Sequence, residues 1–137
     1  MTNAFISYSY SYREDYRIFD EKLRTWLNDT FGINAYSFVF DYRGNDTCYL
    51  MMQEALKLID ASELLIAEMT YKPIGVGAEV GYAKGKGKKI IYIHQQGSEV
   101  SRTVRGISDF VIAYDSIDDL ILKLNEVVAK LTRINNN

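Results

Sequence analysis

Residues 71 to 83, Tyr-Lys-Pro-Ile-Gly-Val-Gly-Ala-Glu-Val-Gly-Tyr-Ala, set one carboxylate, Glu79, among small and apolar neighbours directly after a Gly-rich stretch. Val76, Ala78, Val80, Tyr82 and Ala83 predict a largely covered helix, so its acid is expected to look into a cleft. Gly75 and Gly77 let a backbone turn tightly and come close to a ligand. The helix start behind them offers unpaired N–H groups that suit an anion. Such an arrangement reads as an active site. The plainer reading is a carboxylate near the positive end of a helix dipole, a placement worth about 0.3–1 kcal/mol.

The elements that must position this segment follow from periodicity. Ala4 to Ser9 reads as a strand, and Arg13 to Asp29 as a helix, because Phe19, Leu23, Trp26 and Leu27 recur at helical spacing before Gly32. Ala35 to Phe40 reads as a second strand, and Asp46 or Thr47 caps a helix through Leu50, Met51, Ala55, Leu58 and Ile59. Leu64 to Met69 is a third strand, followed by the helix of Glu79, which Gly85 and Gly87 stop. Lys89 to His94 and Phe110 to Tyr114 are further strands, and a last helix runs from a cap at Asp115 or Ser116 through Leu131. Strands alternating with helices predict one α/β domain over residues 1–137. This is a doubly wound, Rossmann-like or flavodoxin-like sheet of about five mostly parallel strands flanked by helices. Ligands of such sheets bind beyond the carboxyl ends of the strands. Three segments leave strands toward that edge, Tyr8 to Arg13, Met69 to Glu79 and His94 to Arg105, and they are expected to build one site.

Composition narrows the function further. With 137 residues the chain has room for one core. Its single cysteine, Cys48, excludes an internal disulfide framework and suits a reducing, cytoplasmic compartment. No signal-like start and no apolar run of membrane-spanning length is present. The net charge of -2 argues against a broad nucleic-acid surface, and Lys84, Lys86, Lys88 and Lys89 read as a solvated helix end. His94 has no second ligand in view, so no metal is expected.

Taken together these loops resemble the nucleoside 2-deoxyribosyltransferase superfamily, most closely its 2′-deoxynucleoside 5′-phosphate N-hydrolase branch. The resemblance is carried by Ser62-Glu-Leu-Leu-Ile-Ala-Glu-Met-Thr-Tyr-Lys-Pro-Ile-Gly-Val-Gly-Ala-Glu-Val-Gly-Tyr-Ala, by Lys88-Lys89-Ile90-Ile91 and by Gly97-Ser-Glu-Val-Ser-Arg-Thr-Val-Arg-Gly106. It implies cleavage of the bond between a nucleobase and C1′ of the sugar, with Glu79 as nucleophile, through a covalent glycosyl intermediate opened by water or by a second base. It implies a small nucleoside or nucleotide as partner, no cofactor, and a homodimer with a composite site. Ser101 falls where the family's serine reaches the phosphate held by a neighbouring subunit; as a residue it also reads as a helix cap. Arg102 and Arg105 are candidate anion partners or plain surface charges. Tyr8, Ser9 and Ser11 take the place of sugar and phosphate contacts, and Gly75 and Gly77 are expected to supply backbone N–H groups.

Two departures stand out. The branch carries a phosphate-binding serine where this chain has Pro73, and an aspartate assisting base departure where it has Ala55. Asp41, Glu54 and Asp60 are the candidate auxiliary acids in its place. Two other readings compete. Phe5-Ile-Ser-Tyr-Ser also resembles the opening strand of Toll/interleukin-receptor-type domains that cleave NAD, and the two departures would suit a nucleotide sensor without catalysis.

Overall fold

In a computed structural model that describes residues 1–45 and 47–136, five strands form one sheet in the order β2-β1-β3-β4-β5. The strands are β1 (Asn3–Ser7), β2 (Asn34–Ser37), β3 (Leu64–Glu68), β4 (Lys89–Gln95) and β5 (Phe110–Tyr114), and every neighbouring pair is parallel. The helices are α1 (Arg17–Phe31), α2 (Phe38–Asp41), α3 (Cys48–Asp60), α4 (Ile74–Gly85), α5 (Arg102–Arg105) and α6 (Ile117–Asn136), with a 3-10 turn over Arg13–Tyr16 before α1. This is the doubly wound α/β class expected from the alternation.

Alternation along each strand divides the core in two. Ala4, Ile6, Leu64, Ile66, Ile91, Ile93 and Ile112 face α1 and α6, meeting Leu23, Leu27, Leu120, Leu124 and Val128. Phe5, Leu65, Ala67, Ile90 and Tyr92 face the other way, against Ile59 of α3 and Val76, Val80 and Ala83 of α4. The central strands are buried on both faces, which is why they read as unbroken apolar runs.

The ends of the elements follow local chemistry. Gly32 takes a left-handed φ of 66° and its N–H closes α1 on the Leu27 and Asn28 carbonyls, a conformation that glycine adopts at little cost. Thr47 caps α3 by accepting from the Leu50 N–H; Asp46, the alternative cap, lies outside the described residues. At α6 the Ser116 hydroxyl accepts from the Asp119 N–H, and the Asp119 carboxylate accepts from the Asp115 N–H, a reciprocal arrangement like a capping box.

The second strand is shorter than its sequence suggests. Residues 38–41 form a helical turn instead of continuing the strand to Phe40. The cause is tertiary. Arg24 of α1 donates to both Asp41 oxygens at 2.6 and 2.9 Å and to Asp20 at 2.8 Å, while Asp41 accepts from the Ser37 N–H at 3.0 Å and Asp20 from the Ser37 hydroxyl at 2.5 Å. This clamp folds the chain back onto α1 at Ser37. Asp20 is almost wholly buried, so removing its cation leaves an uncompensated charge. Arg24→Ala is therefore expected to cost about 3 kcal/mol and to lower Tm by roughly 10 °C. Thermal melts at pH 7 test this, and a shift below about 2 °C would show that the clamp is dispensable.

Candidate functional site

The three loops meet at the carboxyl ends of β1, β3 and β4. Tyr12 of the first and Tyr71 of the second stack with ring centroids 3.7 Å apart and planes 4° apart. Lys72 of the second reaches Glu99 of the third at 3.0 Å. Lys72 also holds a left-handed φ of 48°, immediately before Pro73, the residue that caps α4.

The two glycines do not form the turn itself. Gly75 and Gly77 lie inside the first turns of α4, and the left-handed position of the loop belongs to Lys72. The Gly77 N–H is already committed to the Pro73 carbonyl at 3.1 Å, so the expectation that it is a free donor is corrected. No side chain caps the helix, which leaves the N–H groups of Ile74, Gly75 and Val76 directed along the axis toward the loop. A Cβ at Gly75 would meet nothing within 4 Å, so open space lies before this helix end.

Glu79 sits in the second turn of α4, half-buried, on the side that carries Val76, Val80 and Ala83 against the sheet. Burial pushes its carboxyl up to about 7, and the hydroxyl of Ser7, the last residue of β1, partly counters that rise. A carboxylate poised near neutrality, at the carboxyl edge and next to an open helix N-terminus, can act as nucleophile or base.

The remaining predicted residues scatter. Ser9 is buried beside the first loop and Ser11 is exposed on it. Tyr8 points to the α1 face, stacked on Tyr16 at 5.1 Å and edge-on to Phe40, and burial followed by the nearby Asp20 drives its hydroxyl well above the usual phenol range. It is thus a core residue of the opposite sheet face. Ser101 caps α5, accepting from the Val104 N–H, and its own N–H donates to the Tyr92 hydroxyl at 2.9 Å. Arg102 and Arg105 are exposed. His94 is buried, with Nδ1 2.9 Å from the Ser98 hydroxyl. Among the described residues no group of three or more His, Cys, Asp or Glu could hold a metal ion.

Two of the three candidate auxiliary acids are engaged elsewhere. Asp41 is held by Arg24, and with Glu54 it borders a separate cleft of about 530 Å³ between α2 and α3, also lined by Tyr36, Arg43, Gln53 and Lys57. Asp60 ends α3 at the amino edge of the sheet, where its carboxylate accepts from the Tyr82 hydroxyl at 2.8 Å. Ala55 is fully buried.

Two site-proximal residues escaped the sequence reading. One is Ser7. The other is Glu68, which ends β3 with only 1% of its surface exposed. Its carboxylate accepts from the Tyr16 hydroxyl at 3.0 Å, the Thr70 N–H at 2.7 Å, the Thr70 hydroxyl at 2.9 Å and the Tyr114 hydroxyl. Burial raises its pKa and these donors offset part of the rise. A carboxylate closing a wholly apolar strand was the visible signal.

The site thus consists of a half-buried carboxylate on the helix that follows the third strand of a parallel α/β sheet. No family model matches the sequence. A protein of Thermofilum pendens assigned as a 2′-deoxynucleoside 5′-phosphate N-hydrolase is 30% identical over 95 residues, 66% of this chain and 66% of that protein. The chain therefore matches about two thirds of the length of that curated relative. Among solved structures, a CMP N-glycosidase of Clostridium botulinum superposes with TM-score 0.72 at 21% identity, covering 92% of this chain and 99% of that one. A 2-deoxyribosyltransferase of Bacillus psychrosaccharolyticus gives 0.66 at 12% identity, covering 88% and 90%. The match to the N-hydrolase, with the fold shared by the N-glycosidase and the deoxyribosyltransferase, supports the nucleoside 2-deoxyribosyltransferase superfamily.

The Glu79 environment carries a stability consequence whose sign is fixed. A carboxyl raised from 4.5 to about 7 in the folded state favours folding fully below 4.5 and loses that contribution as pH climbs through 7. Glu79→Gln carries no charge at any pH. It is expected to match the wild type at pH 5 and to melt several degrees higher at pH 8.5, as read by calorimetry. An equal difference at both pH values would contradict the burial of a titrating group at this position.

Proposed function

We propose that the protein cleaves the N-glycosidic bond of a 2′-deoxynucleoside or its 5′-monophosphate, with Glu79 as nucleophile. The observation that supports this most is the half-buried Glu79 carboxyl at the carboxyl edge, beside an uncapped helix start, in a chain similar to this superfamily. Named relatives act as an N-hydrolase, an N-glycosidase and a deoxyribosyltransferase. In the proposed reaction a carboxylate oxygen bonds to C1′ on the face opposite the base. The C1′–N bond breaks with its electron pair going to the base, which takes up a proton from solvent. Water, or the nitrogen of a second base, then attacks C1′, loses its proton and returns the carboxylate. Ionised Glu79 is required, so activity rises with pH through about 7.

The free N–H groups before Gly77 suit a 5′-phosphate. Ser9, Ser11 and Arg102 are proposed as further contacts from the neighbouring loops. Ser101 and Arg102, at the start of α5, are proposed to complete the site of a second copy in a homodimer. In the single chain the Ser101 side chain is engaged as a cap; the second role requires its hydroxyl to turn toward the partner.

Incubation with the common nucleosides, their 5′-monophosphates in ribo and 2′-deoxy forms, and NAD, followed by chromatography for free base, tests the activity. Glu79→Ala is expected to abolish base release by several orders of magnitude without unfolding the protein; activity within a fewfold of wild type removes Glu79 from the mechanism. Release of nicotinamide from NAD alone would favour a Toll/interleukin-receptor-like activity, and no turnover a sensor.

Pro73 supplies neither a hydroxyl nor an N–H at the loop before α4. A hydrogen bond to a charged group contributes about 1.5–3 kcal/mol, roughly tenfold to a hundredfold in affinity. Pro73→Ser is therefore expected to raise the preference for a monophosphate over its nucleoside by at least about tenfold in kcat/KM, and an unchanged ratio would place the phosphate away from this loop.

A further inference from the structure

Ser7 ends β1 with 2% of its surface exposed, and its hydroxyl has no hydrogen-bond partner of good geometry among the described residues. Leaving a buried hydroxyl unpaired is costly, and alanine would fill the same space without that cost. Alternation along β1 puts Ser7 on the face of Phe5, which packs with Val76, Val80 and Ala83 of α4. Glu79 lies between those helix positions, and the nearby Ser7 hydroxyl lowers the pKa of its carboxyl.

We propose that Ser7 is the positioning residue for Glu79: its hydroxyl donates to one carboxylate oxygen, fixes the group against the end of β1 and leaves the second oxygen for the substrate. This rests on the nucleophile reading above and adds the group that orients it. Glu54 on α3, Glu68 on β3, Tyr92 and His94 on β4, Arg102 on α5, Tyr8 beside Ser7, and Lys72 and Glu99, paired with each other in the loops, are titratable or charged groups of the surrounding segments. None of them is among the influences on the Glu79 carboxyl, which are burial and the Ser7 hydroxyl. Lys89 and Asp60 stand at the far edge of the sheet. Among the described residues the Ser7 hydroxyl is thus the group that favours the ionised form of Glu79.

The test is to compare wild type, Ser7→Ala, Ser7→Cys and Ser7→Thr in two ways. The first is a carbon-13 NMR titration of the Glu79 carboxyl in the free protein, which needs no substrate. Ser7→Ala is expected to move the midpoint up by about one pH unit, Ser7→Cys by less, and Ser7→Thr to stay near wild type. The second is the pH profile of kcat and KM on the monophosphate that releases most base. Ser7→Ala is expected to lower kcat about tenfold more at pH 6 than at pH 8.5 with KM within about twofold, and Ser7→Thr to restore it. A Glu79 midpoint in Ser7→Ala equal to wild type overturns the proposal. So do superimposable pH profiles. If wild type releases no base from any nucleotide, the functional reading fails while the titration still decides whether Ser7 holds Glu79.

Discussion

The Glu68 carboxylate ties together the segments around the carboxyl end of the central strand. It is buried at the end of the central β3, and its four donors come from three places in the chain: Tyr16 ahead of α1, Thr70 in the loop before α4, and Tyr114 at the end of β5. Thr70 extends the tie to the fourth strand, because its hydroxyl also accepts from the Gln95 N–H at 3.0 Å. No ion pair with Glu68 is found among the described residues. A buried charge without a cation must be held by hydrogen bonds. The energy that compensates Glu68 is therefore the energy that fixes the loop presenting Pro73, the start of α4 and, five residues further on, Glu79.

The two carboxylates on either side of the sheet show how environment divides labour. Glu68 faces α1 and α6, accepts four hydrogen bonds and has no room for another partner. Glu79 faces the α3 and α4 side, remains half-exposed and has one favourable neighbour. Saturation makes the first a structural anchor. Under-saturation near neutral pH suits the second to the proposed bond to C1′, and environment thus separates two similar groups.

The fold was legible because its determinants are local or periodic. β5 runs from Phe110 to Tyr114 as the apolar run indicated, Gly32 ends α1 through the left-handed conformation that only a glycine adopts cheaply, and Thr47 caps α3. Glu79 stood out for the same reason, as one charge in a covered helix. What escaped depends on groups distant in sequence. Arg24 turns Phe38–Asp41 from strand into helix and takes Asp41 out of the list of free acids. The placement of Gly75 and Gly77 within the helix follows from Lys72 taking the left-handed turn position, for which a lysine gives no warning. The roles of Ser7 and Glu68 are set by partners across the sheet, and a serine or glutamate at a strand end announces none of them.

The departures from the N-hydrolase branch acquire a physical meaning in this geometry. With Ala55 fully buried and Asp60 at the opposite edge, neither of these α3 positions offers an acid to Glu79, and in the proposed reaction the departing base draws its proton from solvent. That arrangement favours bases that leave readily and places more of the barrier on the nucleophile. A nucleophile asked to do more must be ionised and correctly aimed, since misplacement by about 1 Å can cost a hundredfold in rate. Glu79 is raised toward neutrality by its own burial, so the demand falls on the strand end that faces it. In the proposed reaction the weight of the chemistry thus shifts from α3 to the contact between β1 and α4, next to the loop that Thr70 ties to Glu68.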